Sequence, residues 1–156
     1  MKSGLKVTVG IFVTLFYLVN VSYAKDCTKI DTKKFEGKDI CTPQCVDFVE
    51  CYIGIVYPGN ASKWWSTPPP GYHRHENGKS KQKPKKMDIV YENAGQYGHV
   101  SVIKDVNEKK KTITIAQTNY PDATKCLYST HTFTYKKNDG KYKINGSKVV
   151  GWLSKK

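Results

Sequence analysis

Cys45 and His99 are two side chains whose types and settings could do covalent chemistry together. Cys45 lies in the stretch Thr42-Pro43-Gln44-Cys45-Val46-Asp47-Phe48-Val49-Glu50. Proline suits the first helical position because its missing N–H is not needed there, and Thr42 just before it is placed to cap the exposed amides. A helix is therefore expected from about Pro43 to Val56, ended by the breaker pair Pro58-Gly59, with Cys45 in its first turn. Cys45, Val46, Val49, Tyr52, Ile53 and Val56 recur at three- and four-residue spacing, which puts a buried face behind the thiol. At the positive end of a helix dipole a thiol is expected to favour its thiolate, the nucleophilic form. The chemistry this implies is attack on a carbonyl, as in a hydrolase.

Such a nucleophile needs a base, and the base needs a third group to hold its tautomer. His99 follows Gly95-Gln96-Tyr97-Gly98, a turn that lets the backbone approach closely, and it opens a stretch with strand periodicity. If the next loop is 107–111, Val106 faces Thr112, and counting outward sets His99 opposite Asn119. Residues of equal parity share a sheet face, so Gln117 and Asn119 both project beside the imidazole, where an amide oxygen can accept Nδ1–H. A slip of two residues exchanges Asn119 for Gln117 as the direct neighbour. His73-Arg74-His75 offers alternating imidazoles but no carboxylate or thiol to complete a metal site, so no metal and no cofactor is expected. His131 sits in a Thr-rich strand with no functional signal. Trp64 and Trp65 either line a substrate groove or fill the edge of the core.

The elements that must position these residues are legible in outline. Residues 25–41 are polar and lysine-rich, an extended lead-in with a disulfide as its natural staple. A second short helix is placed at Ala61 to Trp65, and Ser66 to Lys86, with its Pro68-Pro69-Pro70-Gly71 and its lysine run, reads as a surface loop. From Met87 the period becomes two: strands are expected at Asp88–Glu92, His99–Val106, Thr112–Thr118, His131–Lys136, Lys141–Ile144 and Val149–Leu153. One nucleophile-bearing helix followed by five to six antiparallel strands is an α+β domain, 25–156, with helices packed on the sheet.

Ahead of it, Lys2 and Lys6, the apolar run from Val7 to Val21 and the small residues at Ser22-Tyr23-Ala24 have the layout of a cleavable signal peptide, 1–24, which implies a secreted, periplasmic or extracellular protein. The run is short for a membrane span. Five cysteines fit an oxidising compartment, and an odd number leaves one thiol over. Cys27, Cys41, Cys51 and Cys126 are the structural candidates; Cys27–Cys41 with Cys51–Cys126 is one of three pairings, and spacing does not choose among them. Either Cys41 or Cys51 is also near enough in sequence to trap Cys45 as a disulfide. The net charge is +13, or +11 once Lys2 and Lys6 leave with the signal peptide. Nearly all of it is lysine: Arg74 is the only arginine, which argues against nucleic acid, where the planar Arg fork is the preferred reader. A lysine field suits anionic envelope polymers. A monomer is expected, and the sequence does not identify any immunity or inhibitor protein.

In the order of their residues, five segments resemble the CHAP domains, cysteine- and histidine-dependent amidohydrolases/peptidases of the NlpC/P60 superfamily with a papain-like fold. Gln44-Cys45-Val46-Asp47-Phe48-Val49 is similar to the family's nucleophile segment, and Gly59-Asn60-Ala61 with Trp64 to its glycine-asparagine-alanine-tryptophan box. Pro84-Lys85-Lys86-Met87-Asp88-Ile89-Val90 resembles a strand lead-in in which the family usually has glycine at the place of Met87. Tyr97-Gly98-His99-Val100-Ser101-Val102-Ile103 resembles the histidine strand, and Gln117-Thr118-Asn119-Tyr120 the strand carrying the third catalytic member. The resemblance implies Cys45 as nucleophile, His99 as acid and base, and an oxyanion held by the Cys45 N–H and the Gln44 side chain, with Trp64 and Trp65 in reach of substrate. The family commonly has Glu at the place of Gln117, so here the third member is Asn119 or a neutral Gln117. Asp47 stands where some relatives ligate calcium, but the Asp-rich loop that completes that site is missing, and no calcium requirement is expected. The substrate class implied is the peptide part of bacterial peptidoglycan, cut as by an N-acetylmuramoyl-L-alanine amidase or an endopeptidase. The competing readings are an inactive cationic envelope-binding module on the same fold and a thiol amidase with another substrate.

Overall fold

The nucleophile helix, α1 (Cys45–Ile53), begins two residues later than Pro43 suggests. Its N-cap is Gln44, whose backbone N–H donates to the Asp47 carboxylate at 3.0 Å, a link worth about 1 kcal/mol to the helix start. Thr42 instead ends a strand, β2 (Lys38–Thr42), and the extended lead-in that was expected is a paired hairpin of β2 with β1 (Asp31–Phe35). The helix stops at Gly54, which takes the left-handed conformation at φ 71° and donates its N–H to the Glu50 carbonyl at 2.9 Å. Val56 therefore lies beyond the helix and is 92 % exposed, not part of its apolar face. Phe48 and Val49 are the fully buried residues of α1, with Cys45, Val46, Tyr52 and Ile53 packed half-buried beside them. The computed structural model describes residue 27, the backbone of 31–35 and 38–42, and residues 44–120 and 127–156. The expected signal peptide, 1–24, lies outside the described residues, as does Cys126.

Cys27 is bonded to Cys51, with Cα atoms 5.8 Å apart, so the arrangement of Cys27–Cys41 with Cys51–Cys126 is excluded. The bond also removes Cys51 as a trap for Cys45. Six residues along a helix turn the side chain by roughly 240°, away from the thiol. Cys45 is a free thiol.

The short helix α2 (Ala61–Ser66) forms where a second helix was expected, capped by Asn60, whose side-chain oxygen accepts the Lys63 N–H at 2.9 Å. The expected surface loop from Ser66 to Lys86 contains a strand, β3 (Tyr72–Glu76), formed by Tyr72-His73-Arg74-His75-Glu76. It pairs antiparallel with β9 (Val149–Lys155) and is an edge strand, so its backbone needs a partner on one side only and its polar side chains stay largely in water. Between them the chain supplies β4 (Ile89–Glu92), β5 (His99–Asn107), β6 (Thr112–Thr118), β7 (Tyr128–Asn138) and β8 (Lys141–Ile144). The sheet order is β3-β9-β4-β5-β6-β7-β8, seven antiparallel strands rather than five to six.

That sheet curls until its two ends meet. Gly78, just past β3, donates to the Tyr142 carbonyl and Tyr142 donates to the Ser80 carbonyl, both at 2.8 Å, while the Asn77 side chain bonds Ile144 and Val149. The curl separates two apolar clusters. One lies between helices and sheet, around Phe48, Val49, Trp64, Val100, Val102 and Leu153; the other fills the inside of the curl, around Val90, Ile103, Ile113, Ile115 and Trp152. Burying faces of this size is the main favourable contribution to the fold.

Met87, at the position where glycine was noted as usual for the resembled family, has φ 72°, the left-handed region that costs a side-chain-bearing residue about 1–2 kcal/mol. Its side chain is 40 % exposed, so little packing offsets that cost. Met87→Gly should stabilise the fold by a net of about 1 kcal/mol after the added chain entropy of glycine, and so raise the thermal midpoint. An unchanged or lower midpoint in a melting curve would show that the exposed thioether contributes more than the strain.

Candidate active site

The start of α1 and the start of β5 meet at a cleft of about 550 Å³. Cys45 and His99 both line it, with Gln44, Asn119 and Tyr120. The sulfur of Cys45 is in hydrogen-bond reach of the backbone N–H of Val100, the residue after His99, and of the N–H groups of Val46 and Cys45 itself. The paired register between β5 and β6 ends at Val102–Ala116, so the chain above it is available to meet the helix.

His99 is 4 % exposed. Its Nε2 lies 3.0 Å from Gln117 Oε1, and since an amide oxygen only accepts, Nε2 carries the proton and Nδ1 keeps its lone pair. The expected contact was through Nδ1–H; the structure uses the other ring nitrogen. Gln117 is itself held, its Nε2 donating to Ser129 Oγ at 3.3 Å across to β7. Asn119, the other candidate, is buried and lines the cleft but sits past the end of β6 with φ 56°, a conformation asparagine tolerates. Tyr120, not singled out as a site residue, stacks on the His99 ring at 4.4 Å between centroids. Tyr120 lies two residues past the end of β6, where no periodicity marks it in the sequence.

The tryptophans do not form a groove. Trp64 is fully buried and donates its indole N–H to the Tyr57 carbonyl at 3.1 Å; it is core, and cannot touch substrate. Trp65 stacks face to face on Tyr91 at 5.2 Å, with the Arg74 guanidinium over its ring, and lies outside the cleft. The lysine run also lies elsewhere: Lys83 pairs with Glu108 at 2.6 Å and Lys79 with Glu76 at 2.7 Å, whereas Lys148 is the lysine on the cleft wall. Among the described residues no cluster of three His, Cys, Asp or Glu side chains could hold a metal ion.

The sequence pattern of the CHAP domain matches residues 35–119, more than half of the chain and all of the segment from the start of β2 to Asn119. The chain belongs to the CHAP domain family. Its fold is the papain-like CHAP arrangement, a helix bearing the cysteine packed on a curled antiparallel sheet. Among solved structures, the wild-type endolysin LysIME-EF1 is similar at 20 % identity with a TM-score of 0.48, over 72 % of this chain and 52 % of that one. Ly7917 is similar at 17 % identity and a TM-score of 0.41, over 74 % and 54 %. The chain thus spans about half the length of these two structures. No curated protein matches it.

The electrostatics of this CHAP site differ from the sequence expectation. Burial pushes the Cys45 thiol up, and the N–H groups of Val100, Val46 and Cys45 only partly oppose it. Burial likewise pushes His99 down to about 4, against the raising effect of the Gln117 hydrogen bond. Both shifts favour a neutral thiol beside a neutral imidazole, not the thiolate expected from the helix dipole, because desolvating a charge outweighs a partial dipole charge. A neutral amide such as Gln117 orients the ring without adding the charge that would stabilise its cation.

Gln117→Glu supplies that charge. A carboxylate accepting Nε2–H favours the imidazolium, so the His99 pKa should rise by about 1–2 units. In the native chain kcat/KM should hold its acid limb well below pH 6.5, near the His99 value of about 4. The variant's limb should move up towards the ordinary imidazole range. A pH–rate profile with the limb unmoved would show that His99 is not the titrating base.

Proposed function

We propose that this CHAP chain is a cysteine amidase or peptidase that hydrolyses an amide bond in the peptide part of bacterial peptidoglycan, either the muramoyl–alanine amide or a bond of the stem or cross-bridge. The observation that carries the reading is a thiol and an imidazole on the wall of one cleft, the imidazole fixed by Gln117 in the tautomer that leaves Nδ1 basic.

Cys45 is the nucleophile and His99 the acid and base. As Sγ bonds to the substrate carbonyl carbon, its proton passes to Nδ1, so neither group is charged beforehand. The tetrahedral oxyanion is held by the Cys45 backbone N–H, at the start of α1, and by the Gln44 side chain. The imidazolium then gives its proton to the amine, the C–N bond breaks, and a thioester remains. Water, deprotonated by the same nitrogen, releases the acid and restores the thiol. Gln117 positions the ring throughout, and Asn119 closes the wall of the cleft. The chain acts as an exported monomer, the signal peptide removed, and its lysine charge concentrates it on anionic envelope polymers.

The test is mass spectrometry of purified sacculi digested by the full chain. The expected products are fragments carrying one new amino group and one new carboxyl group at a single type of amide bond. Sacculi that bind the protein but release no such fragment would overturn the hydrolase reading in favour of the binding module.

A further inference from the structure

The wall of the cleft that holds Tyr120 also holds Lys148, in the turn before β9. Its backbone is fixed, the Lys148 carbonyl accepting the Asn93 N–H at 2.9 Å, while its side chain is exposed. Nζ lies over the Tyr120 ring, 5.8 Å from the centroid, and Tyr120 in turn stacks on His99 at 4.4 Å. The ammonium is thus no farther from the imidazole than these two spacings laid end to end. Among the described residues no carboxylate lies within ion-pair distance of Lys148, in contrast to Lys79, Lys83 and Lys111; the carboxyl whose charge it feels is that of Glu92, which is buried and pushed up by that burial towards its neutral form. Among the described residues that line the cleft, the acidic side chain is Asp47, whose carboxylate is held by the Gln44 N–H at the opposite, helix side. The cleft therefore has polarity: anionic beside the nucleophile helix, cationic beside the base.

We infer that Lys148 is a specificity-determining residue that binds a carboxylate on the part of the substrate leaving as the amine. The inference rests on the hydrolase reading above and extends it. His99 delivers the proton to the departing nitrogen, so the leaving portion must lie on the imidazole side, and that is the side where Tyr120 carries the ammonium. The ligand class is an amide or peptide whose amine-side residue bears a free carboxylate. A neutral carboxamide at the same place offers the lysine a weaker, uncharged acceptor.

The experiment uses soluble stem peptides in two versions, identical except that the carboxyl of the amine-side residue is free or is a primary amide. For the native chain kcat/KM should be about fivefold to tenfold higher for the acid, chiefly through KM, and this preference should shrink as salt is raised. In Lys148→Met the ratio should fall to about one, Lys148→Arg should restore most of it, and Lys148→Glu should reverse it. Because the lysine side chain is exposed, these variants are expected to melt like the native chain, which a thermal scan checks. Equal rates on acid and amide for the native chain, or a preference unaltered in Lys148→Met, would overturn the inference while leaving the hydrolase reading in place. Absence of cleavage of either peptide and of sacculi would instead remove the reading on which it rests.

Discussion

Cys45→Ala and His99→Ala should each lower hydrolysis on the order of 10⁴-fold or more, and the double variant should be no slower than either alone. The equality follows from the way the two groups depend on one another. Burial holds the Cys45 sulfur as a thiol, so without a base to take the proton there is very little nucleophile. An imidazole whose own pKa is pushed down to about 4 has no substrate to act on once the sulfur is gone. Groups that act as one unit lose the whole benefit when either is removed, and their free energies do not add. The rates are read as dye release from labelled sacculi and as turnover of soluble stem peptides. Cys45→Ala removes one half-buried sulfur, so its melting curve should stay close to native. Full activity in Cys45→Ala would reassign the nucleophile, and multiplying losses in the double variant would mean that the two side chains act in separate steps.

Why this pair was legible and its neighbours were not can be traced to particular residues. The cysteine announced itself through Pro43 and the apolar spacing after it, even though the cap proved to be Gln44. The histidine's partner came from counting a hairpin register, and two offsets cancel in it. The β5–β6 hairpin begins with Asn107 opposite Thr112, one residue away from the expected Val106–Thr112 pair. A bulge between Ile103 and Asp105 then restores the count at Ile103–Ile115 and Val102–Ala116. Carried on, that register still sets His99 across from Asn119. The ring nevertheless bonds Gln117, its diagonal neighbour, because glutamine is one methylene longer and the chain turns out of the strand at Asn119.

What sequence could not convey was mostly a matter of environment. A helix start suggests an acidic thiol, but the opposing effect is burial, which depends on the whole curl of the sheet over the site. The tryptophan pair was equally ambiguous, since an indole serves as core or as contact surface; only the Tyr57 carbonyl at the end of the Trp64 ring decides it. The strand β3 carries no alternating apolar pattern, because its role is to cover the edge of β9 with backbone hydrogen bonds. Lys148 and Tyr120 reach the cleft from a turn and a strand end, where no periodicity exists to be read.

Gly151→Ala should cost about 3 kcal/mol, lowering the thermal midpoint by about 10 °C, the largest loss expected from adding one methyl group at a glycine among the described residues. Gly151 lies in β9 between β3 and β4, paired with Glu76 on one side and Tyr91 on the other. A Cβ there would sit 2.1 Å from the His75 backbone oxygen and 2.5 Å from the Trp65 ring. The oxygen belongs to a paired strand and cannot rotate away. The ring cannot easily yield either, because it is stacked on Tyr91, and Tyr91 lies directly against Gly98, where a Cβ would meet its ring at 2.6 Å. Gly98 immediately precedes His99, so close contacts run unbroken from the β3 edge to the base. Gly146→Ala is the comparison that isolates the argument: its Cβ would approach Val149 and Phe133 at 2.6 and 2.9 Å, but both neighbours are side-chain ends able to turn aside. A loss of about 1 kcal/mol or less is expected there. Equal melting curves for the two variants would show that β3 moves off freely and that the aromatic stack does not brace the histidine strand. A larger loss in Gly151→Ala, with kcat falling even in the folded fraction at low temperature, would show that the edge of the sheet and the base are mechanically one structure.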